Sequence, residues 1–292
     1  MKIASSGKDR PVNVQIIQVP YDSGYRDVRT GRGPGHFLQH GLDQILRDRG
    51  HQVHAGRIES KASLTTEVGT AFELNRLLAA QVGSAIRNKR FPVVLAGNCN
   101  SCLGTLAGIG EKRAGIIWFD AHGDFNTPES TLSGFVDGMG LAMATGRCWQ
   151  PLLATIPGFR PVSEANIVHI GARDLDPAEK RLLRQSEIEL VTSGKKESSI
   201  RRAINTALAK LQAKVTKVYL HVDMDVLDTG EASANHLAVP GGLSVEFVEE
   251  IIGMAKERFE VGAGAITSFD PEYDKDDQVL GAGIRIVQAF VA

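Results

Sequence analysis

The sequence predicts an α/β fold on a mostly parallel, doubly wound sheet, and three observations carry that expectation. Short apolar, β-branched runs recur along the chain, amphipathic stretches of helical length lie between them, and several of the runs are apolar almost throughout. A strand that is apolar on both faces is covered on both faces, as in a parallel sheet with helices above and below. In such sheets functional residues gather at the carboxyl ends of the strands.

Taken in order, strands are expected at Val12–Val19, Pro92–Ala96, Ala114–Phe119, Asn166–Ile170, Ile188–Val191, Lys217–Val222 and Gly264–Phe269, bounded by Gly, Pro or Asp. Helices are expected at Pro34–Asp48, Leu64–Asn88, Ser101–Ile109, Pro177–Gln185, Ser198–Ala213 and Ser244–Arg258. The first opens on Gly-Pro, a common helix start. The last follows Gly241-Gly242-Leu243, and Ser244 before Glu246 and Phe247 reads as its cap. Repeats, low-complexity tracts and Pro/Ser-rich linkers are absent, so one domain over residues 1–292 is the simplest organisation.

Composition narrows the function. With 42% hydrophobic and 23% charged residues and a formal net charge of -1, nothing favours a nucleic-acid or acidic-membrane partner. No apolar run reaches the eighteen or so residues of a membrane-spanning helix. Met1 to Arg10 is polar and lacks the apolar centre of a signal peptide. Three cysteines, Cys99, Cys102 and Cys148, are too few for a disulfide framework, so a reducing, cytoplasmic setting is expected.

The strongest local signal is Asp120-Ala-His122-Gly-Asp124, directly after the apolar run ending at Phe119. If the chain stays extended, the three donors share a side. Carboxylates with imidazole suit divalent ions such as Mn²⁺. Asp223-Met-Asp225 repeats the pattern after Val218–Val222. Either motif alone could be aspartates capping turns. Together they put four carboxylates at two strand ends, where unpaired charges would repel strongly.

These segments resemble the signature of the arginase/agmatinase/formiminoglutamase superfamily. The resemblance rests on Asp120-Ala-His122-Gly-Asp124-Phe-Asn126-Thr-Pro and Asp223-Met-Asp225, on Gly31-Arg-Gly33-Pro34 with Gly41-Leu42, and on Gly241-Gly-Leu243-Ser244, in the family's order. It implies a three-layer α/β/α sandwich and hydrolysis of the C–N bonds of linear amidines, with a guanidino or hydroxyguanidino substrate giving urea or hydroxyurea plus an amine. It further implies two divalent cations, Mn²⁺ above all, bridged by Asp120 and Asp223. His122 and Asp225 would complete one site and Asp124 the other. A hydroxide shared by two cations is nucleophilic at neutral pH, which gives the attack on the guanidinium carbon its physical basis. Asn126 and Ser133 match positions that hold the substrate's amino-acid end. Relatives often form trimers or hexamers, and whether this chain forms a homo-oligomer is left open.

Two departures from the family pattern set this chain apart. Where the family has Gly-Gly-Asp-His-Ser with a ligating histidine, this chain has Ala96-Gly97-Asn98-Cys99-Asn100, so Cys99 falls on the ligand position. The alternatives are a buried apolar thiol or a Cys99-x-x-Cys102 redox pair. Asp137 stands where a proton-shuttling histidine is usual, and His236 is a second candidate for that role. Both departures are similar to a subgroup that hydrolyses Nω-hydroxy-L-arginine. A third, weaker departure places Ser268 where a glutamate usually contacts the guanidinium, with Asp270 and Glu272 following at even spacing as candidate contacts. A competing expectation is a metal-deficient, arginase-like pseudoenzyme that binds a ligand or regulates a partner.

Overall fold

Alternate residues of the run Ala114–Phe119 fall into two separate hydrophobic clusters. Ile116 and Trp118 pack into one, Ile117 and Phe119 into the other, and all four are fully buried. A strand with no solvent face requires covering layers on both sides. The computed structural model, which describes residues 11–61, 66–194, 196–230 and 233–292, provides them.

The strands are β1 (Asn13–Val19), β2 (Tyr21–Asp22), β3 (Tyr25–Arg26), β4 (Gln52–Arg57), β5 (Phe91–Ala96), β6 (Ala114–Phe119), β7 (Ile167–Ile170), β8 (Glu189–Val191), β9 (Lys217–Asp223) and β10 (Glu260–Thr267). Eight form one sheet in the order β4-β1-β5-β10-β9-β6-β7-β8, every neighbouring pair parallel. β2 and β3 pair as a small antiparallel ribbon. The helices are α1 (Gly33–Gln39), α2 (Leu42–Asp48), α3 (Glu67–Arg87), α4 (Cys102–Ile109), α5 (Gly140–Ala144), α6 (Gln150–Leu153), α7 (Pro177–Gln185), α8 (Glu197–Gln212), α9 (Val245–Lys256) and α10 (Gln278–Val291). Helices α1, α2, α8, α9 and α10 bury their apolar stripes in one cluster, and α3 to α7 bury theirs in the other. The three-layer α/β/α arrangement is as expected.

The differences from expectation have local causes. The stretch expected as one helix from Pro34 to Asp48 is two, because Gly41 takes a left-handed turn with φ +77° between them. β4 is an addition to the expected strands: Gln-Val-His-Ala-Gly-Arg is half polar and mostly exposed, as befits an edge strand. α10 is an addition to the expected helices, although its apolar face is deeply buried. β10 stops at Thr267, two residues short of the expected end, since Ser268 has φ +62° and turns the chain. Thr66 Oγ1 accepts from Gly69 N to start α3 at Glu67. Met1 to Arg10, and Leu64 and Thr65 of the expected helix start, lie outside the described residues. Ser244 Oγ accepts from Phe247 N and caps α9, as expected.

Candidate metal centre

β5, β6 and β9 end on the same edge of the sheet, and each delivers acidic or sulfur donors there. After β5, Gly97 passes so close to the β2 strand that a Cβ on it would lie 2.2 Å from Tyr21 O. Only glycine fits, and the next residues turn into the short helical segment Cys99–Ser101 that leads to α4. This aims the Cys99 sulfur inward, 2.9 Å from Asp223 Oδ2, 3.1 Å from Thr267 Oγ1 and 3.4 Å from Ser268 Oγ.

After β6 the chain does not stay extended as anticipated, for Asp124 is left-handed with φ +48°. The donors nevertheless converge. Cys99, Asp120 and Asp124 each offer one atom within 4.8 Å of the others, and Asp120, His122 and Asp225 form a second such group. Asp120 belongs to both. His122 Nδ1 lies 3.2 Å from Asp225 Oδ2 and 3.5 Å from Asp120 Oδ1. Backbone and indole N–H groups fix the carboxylates: Trp118 Nε1 donates to Asp120 Oδ2, Ala121 N to Asp225 Oδ1, and Asp225 N to Asp223 Oδ1.

Electrostatics make this cluster costly on its own. Burial and then neighbouring carboxylates push Asp120, Asp124 and Asp223 above the ordinary carboxylate range. Burial acts the same way on Asp225, but His122 outweighs it and holds Asp225 at about 2. Burial lowers His122, yet Asp225 and Asp120 win and raise it strongly. Burial, reinforced by Asp223, raises the Cys99 thiol. Asp124 Oδ2 is buried and has no hydrogen-bond partner among the described residues. Oxygen-rich donors, one imidazole, one sulfur and an orphaned carboxylate oxygen form a set that fits divalent cations.

The centre floors a cleft of about 590 Å³. His122, Asp124, Asn126, Ser133, Asp137, Asp223, Asp225, His236 and Cys99 all line it, while Asp120 lies buried beneath it. Ser133 is exposed at the rim. Asn126 is buried and donates to Asp176 Oδ2 at 3.1 Å. Asp137 does not project freely: Oδ1 accepts from Asn100 N at 2.8 Å and Oδ2 from Asn98 Nδ2 at 2.8 Å, bracketing Cys99. Burial pushes it up to about 7 against those donors.

Asp270 and Glu272 are not brought to the cleft. Arg32 engages both, at 2.9 Å and 2.7 Å, and Ser268 alone of the three lines the cavity. Even spacing puts three side chains on one side only where the chain is extended, and the left-handed turn at Ser268 removes that condition. Cys102 is buried, and its sulfur faces Gly140 O at 3.6 Å, away from Cys99's partners.

An acidic wall that follows β7 went unmarked in the sequence. Asp174, Asp176 and Glu179 line the cleft, and Glu179 Oε1 accepts from Phe125 N. Their signal is of the same kind as that of the aspartates after β6: Arg173-Asp-Leu-Asp-Pro-Ala-Glu179 puts acids at short intervals after an apolar strand. Arg173 went unmarked as well, and its guanidinium donates to the carbonyls of Gly171, Asp225, Val226, Leu227, Val239 and Pro240. No residue type announces a partner set made only of backbone oxygens.

A parallel sheet with two adjoining groups of candidate metal donors at its carboxyl edge defines the class: an α/β protein with its candidate site at the strand ends. The family model described as Arginase family matches residues 12–292, and the chain belongs to that family. The arginase of Bacillus caldovelox is 29% identical over 288 residues, covering 94% of this chain and 96% of that one. The crystal structure of arginase from Bacillus subtilis superposes with a TM-score of 0.86 at 28% identity, covering 96% and 98% of the two chains. The formimidoylglutamase structure from Bacillus subtilis, at 19% identity and a TM-score of 0.76, shares the fold, covering 98% of this chain and 88% of that one.

Proposed function

We propose that this arginase-family hydrolase uses two divalent cations, Mn²⁺ by preference, to hydrolyse a guanidino or hydroxyguanidino compound. The observation that carries the reading is the pair of donor groups sharing Asp120, with the Asp124 oxygen buried and unpartnered among the described residues. Cys99, Asp120, Asp124 and Asp223 would hold one cation, and Asp120, His122, Asp223 and Asp225 the other. When bound, the pair would activate water and neutralise the carboxylates.

The chain's own groups supply the rest. Asp174, Asp176 and Glu179 line one side of the cleft, a wall suited to a positively charged substrate. Burial pushes Glu179 up to about 7, so a cation seated beside it would draw it into the ionised form. Asn126 and Ser133 offer neutral hydrogen-bonding groups to the substrate's far end. His236 lines the cleft, and that position supports a role as the group that passes a proton between the site and solvent. Asp137, clamped by Asn98 and Asn100, acts as a brace for the Cys99 turn. The sulfur ligand, with no histidine at residue 137, supports a hydroxyguanidino substrate, because the subgroup with both features acts on such compounds.

The test is a metal count joined to a substrate screen. Two equivalents of Mn²⁺ per chain and release of urea or hydroxyurea from guanidino acids, Nω-hydroxyarginine or agmatine are the expected results. A chain that holds no cation and turns over none of these, or formimino compounds, would be a binding protein instead. The clustered acids speak against that reading, since without cations they repel.

A further inference from the structure

The described residues contain a third convergence of metal donors, remote in sequence from the acidic centre. His36 and His40 lie one turn apart at the end of α1, their ring centroids 4.0 Å apart. Asp277, just before α10, brings a carboxylate to them, and the three side chains offer donor atoms all within 4.8 Å of one another.

Each donor is left available by its surroundings. His40 Nδ1 lies 2.9 Å from the His36 carbonyl oxygen, which can only accept. A proton on Nδ1 satisfies that oxygen and would leave Nε2 as the ligating nitrogen, the usual way a ligating imidazole is oriented by a backbone carbonyl. His36 Nε2 lies 3.9 Å from Asp277 Oδ1. Asp277 occupies the N-terminal cap of α10 yet makes no capping bond with its side chain. Asp274 takes that role, accepting from Val279 N and Leu280 N. Asp277 instead holds a left-handed backbone, φ +54°, a conformation that costs energy in a residue other than glycine.

We propose that His36, His40 and Asp277 form a separate divalent-cation site of the zinc type. Tetrahedral zinc with nitrogen and oxygen ligands at about 2.0–2.2 Å needs donors roughly 3.4 Å apart. The side chains of His40 and Asp277 are exposed and free to close the remaining gap. Imidazole-rich donors favour zinc, whereas the carboxylate-rich centre favours manganese, so the two sites divide the metals by chemistry. The cation would tie α1 to the segment Ser268–Asp277. His36 already packs edge-on against Phe269 at 5.8 Å, and Ser268 faces the Cys99 sulfur. The site is thus a staple behind the acidic centre, and it does not rest on what that centre does.

The test loads the full chain with Mn²⁺, dialyses it against micromolar Zn²⁺ with Mn²⁺ in excess, and counts both metals by mass spectrometry. Zinc content is expected to fall by one equivalent per chain in His40→Ala and in Asp277→Asn, a substitution that tolerates the left-handed backbone. Zn²⁺ should also raise the Tm of the natural chain by more than it raises that of either variant. Zinc displacing manganese at the acidic centre affects all three proteins equally, so the difference reports this site alone. Equal zinc content in the three proteins overturns the proposal. A loss confined to His40→Ala overturns it as well, by removing Asp277 from the ligand set.

Discussion

Cys99 and Asp223 meet across an intervening strand: the sulfur at the end of β5 lies 2.9 Å from Asp223 Oδ2 at the end of β9, with β10 between them in the sheet. The contact puts a thiol proton on a carboxylate that is itself raised by burial and by Asp225 and Asp120. A divalent cation offers both groups a better partner than each other. Cobalt(II) in place of manganese should therefore give a near-ultraviolet sulfur-to-cobalt charge-transfer band, and Cys99→Ser should abolish it while leaving the visible cobalt bands of the other site. An identical near-ultraviolet spectrum in the variant would remove sulfur from the ligand set.

The same contact sets a charge count. Four aspartates would offset the two proposed divalent cations, and a Cys99 thiolate would add a negative charge that imidazole lacks. The water that must lose a proton should be less acidic here than beside a histidine ligand. Cys99→His should then move the acidic limb of the kcat/KM profile to lower pH, by about one unit. A limb that stays in place would be incompatible with this account of the sulfur.

How much of this was legible in the sequence depends on whether a signal was local. β6 and β9 could be read because buried parallel strands are apolar throughout, and Asp120 to Asp124 and Asp223-Met-Asp225 because they follow such strands directly. Cys99 was placed only by the resemblance of its segment to the family's pattern. β4 could not, since an exposed edge strand carries no buried stripe. Asp270 and Glu272 were misdirected by the left-handed turn at Ser268, which spacing does not reveal. Arg173 was invisible because its partners are main-chain oxygens from three distant segments.

Metal-free protein should lose stability as pH rises. Asp137 and Glu179 are both raised by burial to about 7, from unfolded values of about 3.9 and 4.3. Between those limits the folded chain binds more protons than the unfolded one, so stability declines from roughly pH 4 to pH 7. For a buried group, a tenfold difference in proton affinity between the folded and unfolded chain is worth about 1.4 kcal/mol. Asp225 opposes this trend only below pH 4, where its own stabilisation is lost as it protonates through about 2. Chelator-treated protein should show a higher Tm at pH 5.5 than at pH 8, and Mn²⁺ should flatten or reverse the slope. A metal-free Tm that climbs over this range would contradict the burial of Asp137 and Glu179 in protonated form.

Asp176 tests the acidic wall. It lines the cleft and accepts from Asn126 Nδ2, without belonging to either donor group. Asp176→Asn removes a charge that would attract a cationic substrate equally before and during reaction. KM should rise about tenfold, equivalent to ~1.4 kcal/mol of uniform binding, with kcat nearly unchanged. A drop in kcat with constant KM would put Asp176 in the chemical step and end its reading as a recognition group.

Arg173 is predicted to be the most sensitive position away from the donors. Its guanidinium holds the carbonyls of Asp225, Val226 and Leu227 after β9, of Gly171 after β7, and of Val239 and Pro240 in the loop beyond. Hydrogen bonds to a charged group contribute about 1.5–3 kcal/mol each, though not additively, and every carbonyl left unpaired in a part-buried place adds a cost. Arg173→Ala should destabilise the chain by about 3–5 kcal/mol, at the upper end for a single substitution. Arg173→Lys should recover little, because one ammonium cannot reach three segments that a planar fork spans. Denaturant unfolding measures this as a fall in the midpoint at constant slope. Since Asp225 sits within the clamped segment, cation affinity should fall in the same variants. Full stability in Arg173→Lys would show that charge alone, and not the fork, secures these strand ends.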